Sequence, residues 1–360
     1  MPAGAGYLPP EWMADGLPAS LVAKVARRYL LSPCPAPGFP ALREQLAQRL
    51  RGNGIEAGSG HVVVTLGSTQ AFDLIARALL VPGDSVVVED PGYFVLFAQL
   101  ARLVLRLLPT PRLRDGPDLD AIEELCRLHR PRAIFVQTLL HNPTGTSIAP
   151  AKCHRLLMLA ERYEAIVVED DAYGDLAEPG AVRLAQIDGL RRVLHVGSFT
   201  KTLAPGFRVG FVAAPLGIVP RLVEEKLLSV LSAPALPEAV VAEALATGRF
   251  RRHIAQLRTR LAKARAPARK ALAAAGLAID DEQNGLFLWT RAPDGVDADR
   301  LVREARQEGI LLAKGALFSP GGRHPQHFRF NAAHVVNPRL TEFLARRLPP
   351  PRMHAGSMRL

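Results

Sequence analysis

The feature that most constrains how this chain can fold is an alternation of short apolar runs with longer helical segments, from about residue 60 to residue 213. Near-continuous apolar strands that alternate with helices are typical of a mostly parallel sheet covered by helices on both faces. The apolar runs predict strands at 61–65, 85–89, 103–108, 133–137, 166–169, 193–196 and 209–213. The segments between them predict helices at 69–80, 93–101, 119–129 and 150–164. The sequence therefore predicts an α/β protein.

After about residue 216 the alternation gives way to long helical segments, in which Pro234 and Pro237 are expected to cause breaks. Weaker strand signals follow at 286–290, 310–312 and 327–330. This change of pattern predicts a second, smaller α+β domain. The expected division is a large domain at 42–232, a small domain at 1–41 and 233–348, and a disordered tail at 349–360.

The composition is that of a soluble globular protein, with 48% hydrophobic and 22% charged residues among 360. No apolar stretch approaches the ~20 residues that a membrane helix needs, and the first residues lack the pattern of a signal peptide. Cys34, Cys126 and Cys153 have neither metal-like spacing nor the even number of a disulfide framework. We therefore expect a cytoplasmic protein with free thiols and no membrane association.

The formal net charge of +11 raises nucleic acid as a partner. Much of the excess lies between Arg249 and Lys270, where basic residues are interspersed with alanine and leucine. A helix with one charged, solvated face explains this run better than a binding surface does. Nucleic-acid binding by this segment stays the less favoured alternative.

A lysine follows the apolar run at 193–196, in the segment Val196–Gly210. Lys201 stands three residues after Ser198 and seven before Arg208. A lysine amine can form a Schiff base with an aldehyde cofactor, while a hydroxyl and a guanidinium hold that cofactor's phosphate. Pyridoxal 5'-phosphate (PLP) is the cofactor whose chemistry needs this set. A surface loop between two strands is the alternative.

Polar motifs also follow other predicted strands, and ligands of such sheets gather at the carboxyl ends of the strands. In Thr65–Gln70 a glycine turn begins a helix, whose free amide groups could cradle a phosphate together with the hydroxyls of Ser68 and Thr69. A plain helix cap is the alternative. Tyr93, in Asp90–Tyr93, could stack on a flat heteroaromatic ring or belong to the core.

Two further strand ends carry groups suited to such a ring. Asn142, in His141–Gly145, could donate to a phenolate oxygen, although Asn-Pro is also a common turn signal. Asp170, in Val168–Tyr173, could keep a pyridine nitrogen protonated, and Tyr173 could reach the same phenolate oxygen as Asn142. An acidic loop or a helix cap is the alternative for the carboxylates.

An arginine late in the chain suits a carboxylate ligand. Arg329 lies between Phe328 and Phe330, and we expect these two phenylalanines to bury it. A buried arginine usually has an anionic partner, and a substrate carboxylate held in bidentate fashion would serve.

Taken together, these motifs resemble the fold type I PLP enzymes of the aminotransferase class I/II family, over roughly residues 5–348. The resemblance implies a mostly parallel sheet of the seven-stranded type with helices on both faces, plus a smaller α+β domain. It implies Lys201 as Schiff-base lysine and proton shuttle, with Asp170 at the pyridine nitrogen. It also implies a ring partner in Tyr93, contacts to the ring oxygen from Asn142 and Tyr173, phosphate ligands in Ser68, Thr69, Ser198 and Arg208, a less certain phosphate contact in Thr200, and substrate contacts from Arg329 and Asn142.

Three segments are similar to the aminotransferase-like domain of MocR/GntR-type regulators, namely Gly6–Trp12, Pro40–Gln45 and Val88–Tyr93. Those regulators carry an N-terminal winged helix-turn-helix, for which the forty or so residues before the pattern are too few. One departure is Pro33-Cys34, where the family commonly has a Tyr-Gly pair whose tyrosine reaches the neighbouring subunit's phosphate. That departure could weaken cofactor retention.

The resemblance therefore implies a homodimeric, PLP-dependent aminotransferase that moves an amino group between an amino acid and a 2-oxo acid. The alternative is a PLP- and amino-acid-binding effector domain of a MocR/GntR-type regulator without its DNA-binding domain. Other PLP chemistry, such as decarboxylation or β-elimination, stays open because a fold does not fix a reaction.

Overall fold

The computed structural model describes residues 1–279 and 284–349. The helices are Pro10–Met13 (α1), Ala19–Tyr29 (α2), Pro40–Gly52 (α3), Gly67–Leu79 (α4), Phe94–Arg102 (α5), Leu119–His129 (α6), Pro150–Arg162 (α7), Leu184–Asp188 (α8), Val219–Val230 (α9), Ala235–Ala246 (α10), Arg249–Ala274 (α11), Ala298–Gln307 (α12), Ala332–Val335 (α13) and Pro338–Arg347 (α14). The strands are Val62–Thr65 (β1), Ser85–Asp90 (β2), Arg106–Leu113 (β3), Gly116–Pro117 (β4), Ala133–Gln137 (β5), Ile166–Asp170 (β6), Val193–Ser198 (β7), Gly210–Ala213 (β8), Ala278–Ile279 (β9), Phe287–Arg291 (β10), Ala313–Lys314 (β11) and His327–Asn331 (β12).

The larger sheet has eight strands in the order β1-β8-β7-β6-β5-β2-β3-β4. Strands β3, β2, β5, β6 and β7 are parallel to their neighbours in this run, whereas β8 is antiparallel to both β7 and β1. Strand β1 consequently points the same way as β7, so its carboxyl end lies at the same edge. The predicted mostly parallel sheet is confirmed, with the two-residue β4 as an additional edge strand.

Alternate residues of each strand pack into two different cores, as expected for a sheet covered on both faces. Val87 and Ile134 belong to one hydrophobic cluster, whereas Val86 and Phe135 belong to the other. The first cluster also contains apolar residues of α3, α6, α7 and α11, and the second contains those of α4 and α5. This two-sided burial is why the strands read as continuous apolar runs.

A second sheet has four antiparallel strands in the order β11-β12-β10-β9. The larger sheet lies within residues 42–232 and the smaller within 233–348, although the domain boundaries themselves stay a prediction. The predicted tail begins at Pro349, and its residues 350–360 lie outside the described residues.

Three details of the sequence-based prediction were wrong. The third strand begins at Arg106 rather than at residue 103, because Val104 adopts a positive φ of 58° in the preceding turn. The segment 310–312 is not a strand, and the short strand β11 follows it. Pro237 does not break a helix, since it lies within the first turn of α10, where a missing N–H costs little.

The basic segment at 249–270 forms most of α11, as predicted. Its large apolar residues, such as Leu257 and Leu261, are buried, whereas Arg251, Arg252 and Lys263 are exposed. Within residues 1–279 and 284–349, no helix combines the length and the apolar character required to cross a membrane.

Candidate active site

A cradle for a phosphate forms where β1 ends and α4 begins. Gly67, the first residue of α4, has a positive φ of 75°. A Cβ atom at this position would lie 2.8 Å from Nη2 of Arg208 and 3.2 Å from Oγ1 of Thr200. The absence of a side chain thus leaves a small space at the amino end of a helix, lined by a guanidinium and a hydroxyl. Such a helix end presents free N–H groups and favours an anion.

Not all of the hydroxyl groups around this cradle form hydrogen bonds with other protein groups. Among residues 1–279 and 284–349, Oγ1 of Thr200 is buried and has no hydrogen-bond partner. Oγ of Ser198 accepts a hydrogen bond of 3.2 Å from the backbone N–H of Thr200. Nη2 of Arg208 donates a hydrogen bond of 3.2 Å to the carbonyl of Leu66. Buried polar groups rarely lack a partner, so the orphan hydroxyl of Thr200 indicates a ligand at this point.

Lys201 follows Thr200 in the chain, and its amine is covered by the N-terminal segment. Its Nζ atom is 4.0 Å from the centre of the Tyr7 ring. A Cβ atom on Gly6 would lie 3.3 Å from the hydroxyl of Tyr173 and 3.8 Å from Nζ of Lys201. The backbone at Gly6 therefore contacts two residues that the sequence predicted to act together.

The environment of Lys201 lowers the pKa of its amine to about 8. Burial is the main cause, and the positive charges of Arg329 and Arg208 act in the same direction, whereas Asp170 opposes them. A substantial fraction of the amine is therefore neutral near pH 8, which a nucleophile or a proton acceptor requires.

Asp170 ends β6, which is the next strand to β7 in the sheet. Its Oδ1 accepts a hydrogen bond of 2.9 Å from the N–H of Ala172. Burial raises the pKa of Asp170 to about 7, an effect that this backbone hydrogen bond opposes. A cationic partner would restore the ionised form, so this carboxyl suits a protonated ring nitrogen.

Tyr173 interacts electrostatically with Arg329, Tyr93 and Asp170, and we call the space among these residues and Lys201 the cleft. Tyr93 directly precedes α5, and burial raises its pKa, while a hydrogen bond with Thr69 lowers it. Tyr173 is buried, and its ring is 5.1 Å from that of Phe287 in an edge-to-face arrangement. Burial raises the pKa of Tyr173 as well, so both phenols are neutral hydrogen-bond donors at neutral pH.

A buried polar network holds the loop that carries Asn142. The backbone N–H of Asn142 donates a hydrogen bond of 2.7 Å to Oε1 of Gln137. The N–H of Gln137 donates to Oε2 of Glu89 over 2.7 Å, and Nη1 of Arg112 donates to Oε1 of the same carboxylate over 2.5 Å. These bonds tie the loop to the ends of three neighbouring strands, β5, β2 and β3, although Nε2 of Gln137 has no partner among the described residues.

Arg329 of β12 reaches this loop from the smaller sheet. Its Nη1 donates a hydrogen bond of 2.6 Å to Oδ1 of Asn142, and its Nη2 donates one of 2.6 Å to the carbonyl of Gly4. In the part of the chain that the structure describes, Nε of Arg329 is buried without a partner. Burial lowers the pKa of Arg329 to about 10, so the side chain remains charged at neutral pH.

The aromatic residues that enclose Arg329 differ from those predicted. The centre of its guanidinium lies 4.4 Å from the ring centre of Phe287 and 4.7 Å from that of Phe318. Phe328 and Phe330 are buried in the main hydrophobic cluster instead. Successive side chains of a strand point to opposite faces, so the neighbours of Arg329 on β12 cannot enclose it.

PLP needs an anion site, an amine, an acid for its ring nitrogen and donors for its ring oxygen. The space at Gly67 and the orphan hydroxyl of Thr200 supply the first, and Lys201 follows Thr200 directly. Asp170 is the last residue of the adjacent strand β6, and Tyr173 follows it by three residues. The residues present therefore fit the cofactor.

The structure thus gathers the sequence-predicted residues at one edge of the sheet, together with residues that the sequence reasoning missed. Tyr7, Phe287 and Phe318 contact Lys201 or Arg329 but were assigned no role. Cys34, the second residue of the Pro33-Cys34 departure, is buried with its Sγ 3.5 Å from Oε2 of Glu238 on α10.

The fold and the cleft are those of a PLP-binding α/β protein. Residues 19–346 match the family model described as aminotransferase class I and II. The chain belongs to that family.

Two relatives and one solved structure illustrate the range of the family. The uncharacterized HTH-type transcriptional regulator YdcR of Escherichia coli (strain K12) is 33% identical over 304 residues, which cover 82% of this chain and 64% of the regulator. The 2-aminoadipate transaminase of Thermus thermophilus is 32% identical over 349 residues, which cover 91% of this chain and 84% of that enzyme. The structure of an alpha-aminoadipate aminotransferase of Thermus thermophilus, complexed with N-(5'-phosphopyridoxyl)-L-leucine, has a TM-score of 0.84 at 29% identity and covers 96% of this chain and 89% of its own.

The match to YdcR leaves about a third of that regulator without a counterpart in this chain, because only 64% of it is covered. Family membership is therefore consistent with two roles for a chain of this kind, an enzyme or part of a regulator.

Proposed function

We propose that this protein is a PLP-dependent aminotransferase that transfers an amino group between an amino acid and a 2-oxo acid through Lys201. The observation that carries the proposal is the position of Lys201 directly after Thr200, whose orphan hydroxyl lies at the anion cradle of Gly67 and Arg208. A phosphorylated aldehyde requires an amine with a lowered pKa and an anion cradle, and Arg208 of the cradle contributes to lowering the pKa of Lys201.

Bound PLP would supply an aldehyde that bonds to amines and a protonated ring that accepts the electron pair left on a substrate's α-carbon. The phosphate would be held by Ser68, Thr69, Ser198, Thr200, Arg208 and the first amides of α4. Tyr93 would lie against one face of the ring, Asp170 would pair with the ring nitrogen, and Asn142 and Tyr173 would donate to the ring oxygen.

Lys201 is the residue that would hold and move the proton of the α-carbon. Its pKa of about 8 leaves Nζ able to accept a proton near neutral pH and to return it. A side chain at Gly6 would approach both the hydroxyl of Tyr173 and this amine, so the glycine leaves the space next to both groups open. Tyr7 covers the amine and reduces access of water.

Arg329 would bind the α-carboxylate of both substrates. Its guanidinium is charged, lies between the rings of Phe287 and Phe318, and keeps Nε without a partner among the described residues. A carboxylate in this position would accept charge-assisted hydrogen bonds in an environment that excludes water. This geometry favours amino acids and 2-oxo acids as a class.

We also infer a cytoplasmic homodimer. Large leucines near the ends of α2 and α9 are exposed, among them Leu31 (95%), Leu228 (79%) and Leu231 (71%), which supports a surface covered by a second copy. Free, buried thiols at Cys34, Cys126 and Cys153 are compatible with a reducing compartment. Sedimentation of the purified protein at several concentrations tests the dimer.

The second candidate function is an effector domain that binds PLP and an amino acid with little turnover. This candidate is supported by the similarity to the regulator YdcR, of which the match covers 64%. The same cleft would then serve recognition, and binding of the amino acid would change the protein without releasing a 2-oxo acid.

A spectral titration separates the two functions. The protein is loaded with PLP, treated with a panel of amino acids, and then given a 2-oxo acid. An aminotransferase loses the visible band of bound PLP, releases a 2-oxo acid, and recovers the band with the second substrate. A band that shifts with an amino acid and stays there, without release of a 2-oxo acid, contradicts the proposed enzyme and supports the effector domain.

A further inference from the structure

The side chain of Asp90, which ends β2, is fully buried and is contacted by a distant part of the chain. Its Oδ2 accepts hydrogen bonds from Nε of Arg323 over 2.8 Å and from Oγ of Ser319 over 3.0 Å. Nε2 of His324 lies 3.3 Å from Oδ1. All three partners belong to one segment, which we call the 318–324 segment, between the smaller sheet's strands β11 and β12.

These partners keep the carboxylate ionised despite its burial. Burial alone would raise the pKa of Asp90, but His324, Arg323 and Ser319 together lower it. A buried charge of this kind depends on its partners, because removal of one partner leaves the other uncompensated. The side chain of Arg323 is itself 53% exposed, so the weight of the contact comes from the buried carboxylate of Asp90 and its bond to the buried Ser319.

The backbone next to Asp90 is bound to the same segment. The N–H of Gly92 donates a hydrogen bond of 2.8 Å to the carbonyl of Phe318. The rings of Phe94 and Phe318 are 5.6 Å apart in an edge-to-face arrangement. Tyr93 lies between Gly92 and Phe94 in the sequence. Phe318 therefore contacts the chain on both sides of Tyr93.

The 318–324 segment also contacts the carboxylate-binding side of the cleft. The ring of Phe318 lies 4.7 Å from the guanidinium centre of Arg329 and 5.6 Å from the ring of Phe94. A shift of Phe318 would consequently move the surroundings of Arg329 and Tyr93 together. None of these contacts involves the phosphate cradle.

We propose that Asp90 is a positioning residue that couples the two halves of the site, because its carboxylate ties the end of β2 to the segment that supports both Tyr93 and Arg329. The inference rests on the proposed function for the identity of the two ligands, a PLP ring at Tyr93 and a substrate carboxylate at Arg329. The role of Asp90 is to fix the two contacts relative to each other, without touching either ligand.

The test compares Asp90→Asn with Asp188→Asn, a matched control. Asp188 is also buried, and its Oδ2 accepts from the N–H groups of Arg192 and Val193 at the opposite end of β7. Three kinds of experiment are made: hydrogen exchange at residues 90–94 in the PLP-free protein, binding of PLP with its dissociation constant and circular dichroism, and kinetics with an amino acid, which give KM and kcat. Arg323→Gln and Arg323→Lys probe the partner.

We expect Asp90→Asn to speed exchange at the Gly92 amide, to weaken PLP binding about tenfold with a smaller dichroic band, and to raise KM about tenfold with less effect on kcat. Arg323→Gln should reproduce these changes, whereas Arg323→Lys should stay close to the wild-type values. The double variant Asp90→Asn/Arg323→Gln should be no worse than either single variant. Asp188→Asn should change stability alone.

The inference would be overturned if Asp90→Asn had the same hydrogen exchange, PLP affinity and KM as the wild type. This holds even if the stability of Asp90→Asn fell as in Asp188→Asn. Failure of the proposed function has a different signature. A wild-type protein that gives the dichroic band of bound PLP without amino transfer would contradict the enzyme, while exchange and PLP affinity in Asp90→Asn would still decide the role of Asp90.

Discussion

The guanidinium of Arg329 donates a hydrogen bond of 2.6 Å to the side-chain oxygen of Asn142, so the smaller sheet contacts a loop of the larger sheet inside the cleft. Arg329 lies on β12, and Asn142 lies on the loop after β5. An incoming carboxylate would join this contact instead of creating the site, because the arginine is already oriented and desolvated. Preorganised charge of this kind is worth more than the same charge in water.

The first prediction concerns that contact. Arg329→Lys keeps the charge but loses the planar pair of donors, so kcat/KM for amino acids should fall about 100-fold. The absorbance of bound PLP should persist, because Arg329 does not contact the phosphate cradle. Steady-state kinetics with a fixed 2-oxo acid measure the effect. An unchanged kcat/KM would show that the carboxylate is bound elsewhere.

The second prediction uses the pKa of Lys201, which burial and then Arg329 lower to about 8. Only the neutral amine attacks an aldehyde, so the rate of PLP uptake by the PLP-free protein should rise with pH through about 8. Arg329→Met removes a nearby positive charge, which raises the pKa of Lys201 and moves the midpoint to higher pH. Arg329→Lys retains the charge and should leave the midpoint near the wild-type position. Equal midpoints in all three proteins would refute this electrostatic coupling.

The third prediction separates two buried threonines. Thr200 and Thr202 both have an Oγ1 without a partner among the described residues, but only the hydroxyl of Thr200 lies at the position that a Cβ on Gly67 would approach. Thr200→Val should weaken PLP binding about tenfold, since the phosphate loses one donor. Thr202→Val removes an equivalent atom and should bind PLP as the wild type does. Fluorescence titration with PLP gives both constants, and equal losses would argue against the cradle.

The fourth prediction concerns Gly67. Its positive φ of 75° strains any residue with a Cβ atom, and a methyl group would also force the guanidinium of Arg208 to move. Gly67→Ala should destabilise the protein by ~1–2 kcal/mol and should also weaken PLP binding. Gly52→Ala, at the end of α3, meets no atom within 4 Å, and we expect it to be neutral or to stabilise by ~0.5–1 kcal/mol. Urea unfolding of both variants tests the difference, and a tolerated alanine at 67 would be contrary to the geometry.

Much of the larger sheet could be predicted because its strands are buried on both faces and so read as apolar runs. The strand at 133–137 has the predicted bounds. The exception is β3, whose alternating exposure and two prolines, Pro109 and Pro111, reflect a place near the sheet edge. The segment 310–312 failed for another reason. Leu311 forms backbone hydrogen bonds with Met1 and Gly4, a pairing with the N-terminal segment that no local pattern encodes.

The candidate site also contains residues that could be predicted from the sequence and residues that could not. Residues that follow strands, such as Lys201 and Asp170, could be predicted, because parallel strands bring their carboxyl ends to one edge. The contacts of Tyr7 with Lys201 and of Phe318 with Arg329 depend on how distant segments pack, so the sequence did not indicate them. The roles assigned to all of these residues stay predictions until they are measured.

The most direct test of the account is to locate the cofactor on the chain. The protein is incubated with PLP, reduced with borohydride, digested, and analysed by mass spectrometry. The account predicts a phosphopyridoxyl group on Lys201 in the wild type and none in Lys201→Ala. A label on another lysine, such as the buried Lys226 of α9, or no label at all, would contradict it.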